Sequence, residues 1–350
     1  MKKMLAMLLA LVMILGLAAC ASTKPAADAT ATSEPSNTGD SASAETSAEA
    51  SDAAPAESGK TYTVGVCQLV QHEALDAATQ GFVDALKEAL GDAVTIDVQN
   101  ASGDSVNCGT IVNGFVAKGV DLIMANATPA LTAAVSATAD IPILGTSITA
   151  YGVALDIDDF NGTVGGNVSG TSDLADLQKQ AQMILDWFPE TKTVGLLFCS
   201  AEPNSRYQID EVRKALEAQG VTCEEFAFTD SNDVSSVTQK AADFSDVVYI
   251  PTDNTAASNT EAIANVLIPA GVPAICGEEG LCRGCGVATL SISYYDLGVT
   301  TGKMAAKILK GEANISEMPI EYTDATPKYN ASICDQLGIT PLDGYEAIEG

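Results

Sequence analysis

The residues best suited to chemistry in this chain are short and polar, and they stand where apolar runs end. Gln68 closes the run YTVGVCQ at 62–68, Thr128 follows DLIMANA at 121–127, and Ser147 follows IPILG at 141–145. Further on, Asn204 and Ser205 open an amphipathic stretch, Asp253 and Asn254 follow DVVYIPT, and Glu278 and Glu279 follow VPAICG. Amides, hydroxyls and carboxylates of this kind suit reversible binding of a small polar solute. A helix N-terminus at Thr128 would offer N–H groups and a positive dipole end to a carboxylate. Asp253 or Glu278 would take an ammonium through charge-assisted hydrogen bonds. Each residue also has a structural role open to it. Thr128, Asn204, Ser205 and Asp253 suit helix caps, and Glu278 and Glu279 suit solvated loops.

Common signals for catalysis fail. The stretch GGNVSG at 165–170 has Asn167 where a dinucleotide loop needs glycine, and it lacks the lysine of a phosphate loop. No G-x-S-x-G elbow occurs. His72 is the single histidine, and a nucleophile and an acid would have to converge on it to form a triad. No catalytic residue, cofactor or metal is therefore expected. Cys282 and Cys285 form a C-x-x-C in a glycine-rich stretch that reads as a loop. Free thiols, a disulfide between them, or a metal site with Cys276 all remain open. Cys67, Cys199 and Cys276 lie in or beside apolar runs and read as small core residues. Trp187, Tyr294 and Tyr295 read as packing residues.

The elements that must position these residues repeat. Val64-Gly65 opens one apolar run and Val194-Gly195 another, and the runs at 121–128 and 141–145 have counterparts at 246–252 and 272–277. Between the runs, apolar residues recur at helical spacing, as at Leu75, Ala78, Phe82, Leu86 and Ala89. Strands alternating with helices imply a parallel sheet covered on both faces, and ligands bind such sheets at the carboxyl ends of the strands. The fold class expected is α/β, with two Rossmann-like doubly wound lobes joined by a hinge of crossover strands. Residues 61–172 plus 290–316 are assigned to lobe 1, and 173–289 plus 317–350 to lobe 2. The glycine-rich stretch 162–173 is the hinge candidate.

Residues 1–20 read as a lipoprotein signal peptide. Lys2 and Lys3 precede an apolar run, and Leu17-Ala18-Ala19-Cys20 fits a lipobox, with the lipid on Cys20. Residues 21–60 consist almost wholly of small and acidic residues. They read as a disordered tether to the membrane. The chain carries a formal net charge of −29, which argues against nucleic acid and against direct adhesion to anionic lipid. Hydrophobic residues make up 47% of the sequence, ample for two packed cores.

Several of these segments together resemble the ABC-transporter substrate-binding protein family that includes tryptophan- and tyrosine-binding lipoproteins. The resemblance covers about 61–325. It rests on VGVCQ at 64–68, His72, Leu75-Asp76, Gly81-Phe82, DLIMANATP at 121–129, GNVSGTSD at 166–173, EPNS at 202–205, PTDN at 251–254 and YYDLG at 294–298. It implies a type I periplasmic-binding fold that closes on its ligand, and delivery to a permease and ATPase pair. It also implies ligand contacts at Gln68, Thr128, Ser147, Asn204, Ser205, Asp253 and Asn254. Three stretches depart from the family pattern. Gln71-His72-Glu73 stands where Glu-His-Pro is usual, residues 147–151 replace a Thr-Asp-Pro, and 281–284 is unusual. The function expected is a lipid-anchored, extracytoplasmic, monomeric solute-binding protein of an ABC importer, taking an aromatic or hydrophobic amino acid between its lobes. The alternatives are a ligand-sensing ectodomain of the same fold and a binding protein for another kind of solute.

Overall fold

The computed structural model describes residues 59–349. The lipobox ending at Cys20 lies outside the described residues, as does nearly all of the tether. The chain begins with β1 (Tyr62–Gln68), α1 (Glu73–Leu90), β2 (Val94–Asn100), α2 (Ser105–Lys118), β3 (Leu122–Asn126), α3 (Thr128–Ala137), β4 (Ile143–Ile148), the single turn α4 (Tyr151–Ala154) and β5 (Val168–Ser172). It continues with α5 (Leu177–Trp187), β6 (Thr193–Cys199), α6 (Pro203–Glu217), β7 (Thr222–Phe228), α7 (Val234–Phe244), β8 (Val247–Ile250), the short α8 (Asn254–Ala257), α9 (Thr260–Ala270), β9 (Ala274–Cys276), α10 (Glu279–Cys285) and β10 (Ala288–Ser291). The last elements are α11 (Tyr294–Leu309), β11 (Glu321–Tyr322), β12 (Thr326–Tyr329), α12 (Ala331–Leu337) and β13 (Glu346–Ala347).

These strands form two sheets, ordered β11-β5-β4-β3-β1-β2 and β13-β12-β10-β9-β8-β6-β7. All pairings are parallel except β10 with β12. The order β5-β4-β3-β1-β2 in one sheet is matched by β10-β9-β8-β6-β7 in the other, so the sequence repeat is a repeat of topology. In this order the connections reverse direction beside β1 and β6, which opens a crevice at the strand carboxyl ends of each lobe. Each sheet is buried on both faces. Phe115, Ile123 and Leu131 pack one side of the first sheet, and Val64, Phe82 and Met124 the other. Leu196 and Tyr249 pack one side of the second, with Leu197 and Phe228 opposite.

Three features differ from the sequence expectation. Residues 168–172, expected in the hinge, form β5, a buried strand of the first sheet. Its small residues carry no apolar signal because space is short there. A Cβ on Gly170 would collide with the Gly145 backbone and the Tyr151 hydroxyl. Residues 279–285, expected as a loop, form α10. Gly284 is needed in that helix because Thr260 approaches it too closely for a side chain. The segment Glu321–Tyr322, expected on the second lobe, pairs with β5 in the first, so the chain changes sheet after residue 322 rather than before 317.

Helix α11 packs on α1 through glycines. A Cβ at Gly81 would strike the carbonyl of Tyr295, and one at Gly298 that of Ala78. The chain therefore passes between the sheets three times, at 173–176, 292–293 and 323–325. No helix among the described residues is long and apolar enough to cross a membrane.

Candidate functional site

The carboxyl ends of both sheets' strands meet at a small enclosed cavity. From the first lobe it is bordered by His72, Leu75, Ser147 and Thr149, and from the second by Asn204, Thr252, Asp253, Asn254, Ala257 and Glu278. Asp173 and Tyr294, each on or beside a crossing segment, complete it. At about 10 Å³ the cavity is tight, so the lobes are closed on one another and a solute of amino-acid size enters only as they part.

Three buried polar atoms of residues around this cavity have no hydrogen-bond partner among the described residues: Ser147 Oγ, Asp173 Oδ1 and Asn204 Oδ1. The three residues are 5–6% exposed. A buried polar group left unpaired costs about 1–3 kcal/mol, so convergence of three on one cavity points to a bound group that satisfies them. Ser147 is also strained, with φ at 55°, and Ala127 at the end of β3 has φ at 88°. Left-handed backbone at non-glycine residues gathers at ligand sites.

On the second lobe the carboxylates are already engaged. Asp253 caps α8, accepting from the Ala256 N–H (2.8 Å), and it also accepts from the Cys199 N–H (2.6 Å). Glu278 caps α10, accepting from the N–H groups of Gly280 (2.6 Å) and Leu281 (2.5 Å). Glu202 accepts from the backbone and side chains of Asn254 and Thr255. None of these carboxylates, nor Asp173, has a salt-bridge partner among the described residues. Burial pushes Asp173 up to about 6 and Glu278 up to about 7. Burial also raises Asp253, and the neighbouring Glu202 adds to the shift. Burial holds His72 below its ordinary value. Its Nε2 lies 3.3 Å from Asn254 Oδ1, a contact between the lobes.

Of the residues expected to bind ligand, Ser147, Asn204, Asp253, Asn254 and Glu278 border the cavity, whereas Gln68, Thr128 and Ser205 do not. Gln68 faces its own lobe. Its amide donates to Val70 O (2.9 Å) and Asp76 (2.6 Å) and accepts from Thr79 Oγ1 (2.6 Å). Thr128 is the first residue of α3 rather than its cap, a position held by Ala127. Ser205 is buried beneath Asn204, whose amide donates to its hydroxyl at 3.4 Å. Four titratable residues beyond the expected set border or support the site: His72, Asp173, Glu202 and Tyr294. All four lie in motifs that carried the family resemblance, which was the signal available. Cys282 and Cys285 are buried free thiols, with Cys285 Sγ donating to Leu281 O (3.2 Å). No group of His, Cys, Asp and Glu among the described residues is arranged to hold a metal.

The family model for ABC transporter substrate binding proteins matches residues 63–344. The chain belongs to that family. The substrate-binding protein is 32% identical over 276 residues to a tyrosine-binding protein of Clostridioides difficile, covering 77% of this chain and 79% of the relative. Among solved structures, it aligns with an ABC domain from Streptococcus pneumoniae in complex with L-Trp. That match has a TM-score of 0.78 and 32% identity, and covers 83% of this chain and all of the other. A ligand-free, open substrate-binding protein with adhesive properties from Clostridium difficile aligns at 34% identity but with a TM-score of 0.63, covering 83% of this chain and 99% of the other. At similar identity, the lobes here are arranged more as in the L-Trp complex than as in the open protein. The architecture is the type I periplasmic-binding fold, and the family is one of binding proteins rather than enzymes.

Proposed function

We propose that the protein is the extracytoplasmic, lipid-anchored capture subunit of an ABC importer for an aromatic amino acid, handing its ligand to a permease. The convergence of Ser147 Oγ, Asp173 Oδ1 and Asn204 Oδ1 on one interlobe cavity carries this proposal. Two of these atoms are acceptors and suit an ammonium, and the serine hydroxyl can donate to a carboxylate. An adjoining space of about 250 Å³ shares Asn254 with the cavity and has Leu69, Val70, Pro129 and Ala201 in its walls. It supplies room and apolar surface for a ring. The aromatic class is favoured by the tyrosine- and L-Trp-binding relatives. Ligand binding stabilises the closed arrangement, which the membrane partner reads.

A thermal-shift screen of the purified protein against amino acids, nucleosides and sugars tests the ligand class. A ligand at 100 times its dissociation constant should stabilise by about 2.7 kcal/mol. Tyrosine, tryptophan or phenylalanine should raise Tm by several degrees, and sugars and nucleosides should leave it unchanged. A shift with sugars alone would reject the proposal. Fatty-acid labelling that is lost in Cys20→Ser tests the anchor, and equal labelling of both proteins would reject it.

A further inference from the structure

The crossing segments meet inside the site. Asp173 directly follows β5 at the first crossing, and Tyr294 opens α11 just after the second. Tyr294 Oη donates to Asp173 Oδ2 at 2.9 Å, tying the two crossings together. Both residues are buried. Asp173 borders the cavity, and its Oδ1 makes no hydrogen bond among the described residues; the Thr149 hydroxyl, which also borders the cavity, stands beside the carboxyl. Asp253 and Glu278, the carboxylates that sequence alone favoured for an ammonium, have both oxygens on backbone N–H groups. Among the carboxyl groups bordering the cavity, Asp173 alone keeps an oxygen with no partner. Among the described residues, no lysine or arginine borders the cavity to neutralise it.

We infer that Asp173 is the ammonium receptor of the site and, through Tyr294, the residue by which ligand binding fixes the hinge. The inference rests on the amino-acid ligand proposed above. A cation binds only the ionised carboxyl, and burial raises this group to about 6. Affinity for an amino acid should therefore fall about tenfold per pH unit below about 6. Other titratable groups around Asp173 and the cavity are Glu278 capping α10, Asp253 capping α8, His72 before α1, Tyr294 on α11 and Tyr151 on α4, with Glu202 behind them. Replacing Asp173 should remove only its own contribution to the profile.

The test compares L-tyrosine with 3-(4-hydroxyphenyl)propionate, which lacks the ammonium, in calorimetric titrations of the full protein and of Asp173→Asn. The wild type should prefer tyrosine. Asp173→Asn should lose tyrosine affinity by on the order of 100-fold, bind the propionate at least as well as before, and show a flatter acid limb. Tyr294→Phe should keep the preference for tyrosine and release it several-fold faster. If Asp173→Asn does not fold, the wild-type pH profile and Tyr294→Phe decide. A profile flat from pH 7 to 5, or release unchanged in Tyr294→Phe, would then overturn the inference. Unchanged discrimination in Asp173→Asn would overturn it while leaving the amino-acid ligand intact, as would equal loss of both ligands. A wild type that binds no amino acid would overturn the amino-acid ligand itself, and this inference with it.

Discussion

The two faces of the cavity occupy equivalent strand-end positions in duplicated lobes, yet their polar groups are used differently. On the second lobe, Glu202, Asp253 and Glu278 are held by backbone N–H groups of α8, α10 and the end of β6. On the first lobe and its crossing, Ser147 and Asp173 keep unpaired atoms. Strain divides the same way. All five non-glycine residues with positive φ among the described residues, Ser102, Ala127, Ser147, Asp156 and Asp159, precede β5. The second lobe presents a wall already satisfied within itself, with Asn204 Oδ1 the exception. The first lobe and the first crossing hold two of the three unpaired groups around the cavity. The two lobes share a strand order and differ in the residues at the strand ends.

The largest effect should come from breaching the satisfied wall. Glu202→Ala would strand the N–H groups of Asn254 and Thr255 in a buried site. It should cost about 2–4 kcal/mol, read as a Tm lower by roughly 5–10 °C. A loss under a degree would mean that the wall is not built as described. Ser147→Gly should separate strain from binding. Relief of φ at 55° should stabilise the free protein by about 1 kcal/mol, whereas loss of the hydroxyl should weaken ligand affinity about tenfold. Ser147→Ala removes the same unpaired hydroxyl but keeps the strain, so it should weaken binding as much and be about 1 kcal/mol less stable than Ser147→Gly, and a gain in affinity from either variant would contradict the assignment.

Acidity should act on the free protein in a definite direction. Asp173 at about 6, Glu278 at about 7 and the raised Asp253 hold protons in the folded state that the unfolded chain has released. Their contribution is fully present below about pH 4 and is lost as pH rises through about 6 to 8. His72, lowered by burial, pulls the other way below about 6.5, but it is one group against three. Tm of the ligand-free protein should be higher at pH 5 than at pH 8. Bound amino acid should flatten that slope, and a Tm that rises across the window would contradict the burial of these groups.

The smallest effect concerns the mouth of the cleft. Glu73 and Arg283 lie in two of the stretches that depart from the family pattern, and they pair across the lobes at 2.5 Å. Their side chains are 50% and 38% exposed, so the pair is worth at most about 1 kcal/mol. Glu73→Gln should speed ligand release by about two- to fivefold and abolish the part of release that salt accelerates. Identical salt dependence in both proteins would remove the pair from the account.

Much of the fold was legible because long apolar runs alternate with amphipathic stretches at fixed intervals. What escaped was short or crowded. The strand VSGTS at 168–172 carries small residues because Gly145 and Tyr151 press on it, so it reads as a loop. Helix α10 contains two glycines, one demanded by Thr260. Within the site, spacing alone placed Ser147 and Asp253 after strands and Asn204 at the start of a helix. It could not reveal which carboxylates their own backbone would engage. Gln68 illustrates the same limit, since its amide is taken up by Asp76 and Thr79 inside one lobe. Asp173 was hidden for the converse reason. Its role depends on a crossing that brings Tyr294 to it from 121 residues away.

A crystal structure of the protein with L-tyrosine bound would test the central claim most directly. The ligand should lie between the lobes, its ammonium within hydrogen-bond distance of Asp173 Oδ1, its polar end also meeting Ser147 or Asn204, and its ring against Val70 and Pro129. Tyrosine elsewhere on the molecule, or in the cleft with Ser147 Oγ, Asp173 Oδ1 and Asn204 Oδ1 still unpaired, would contradict it.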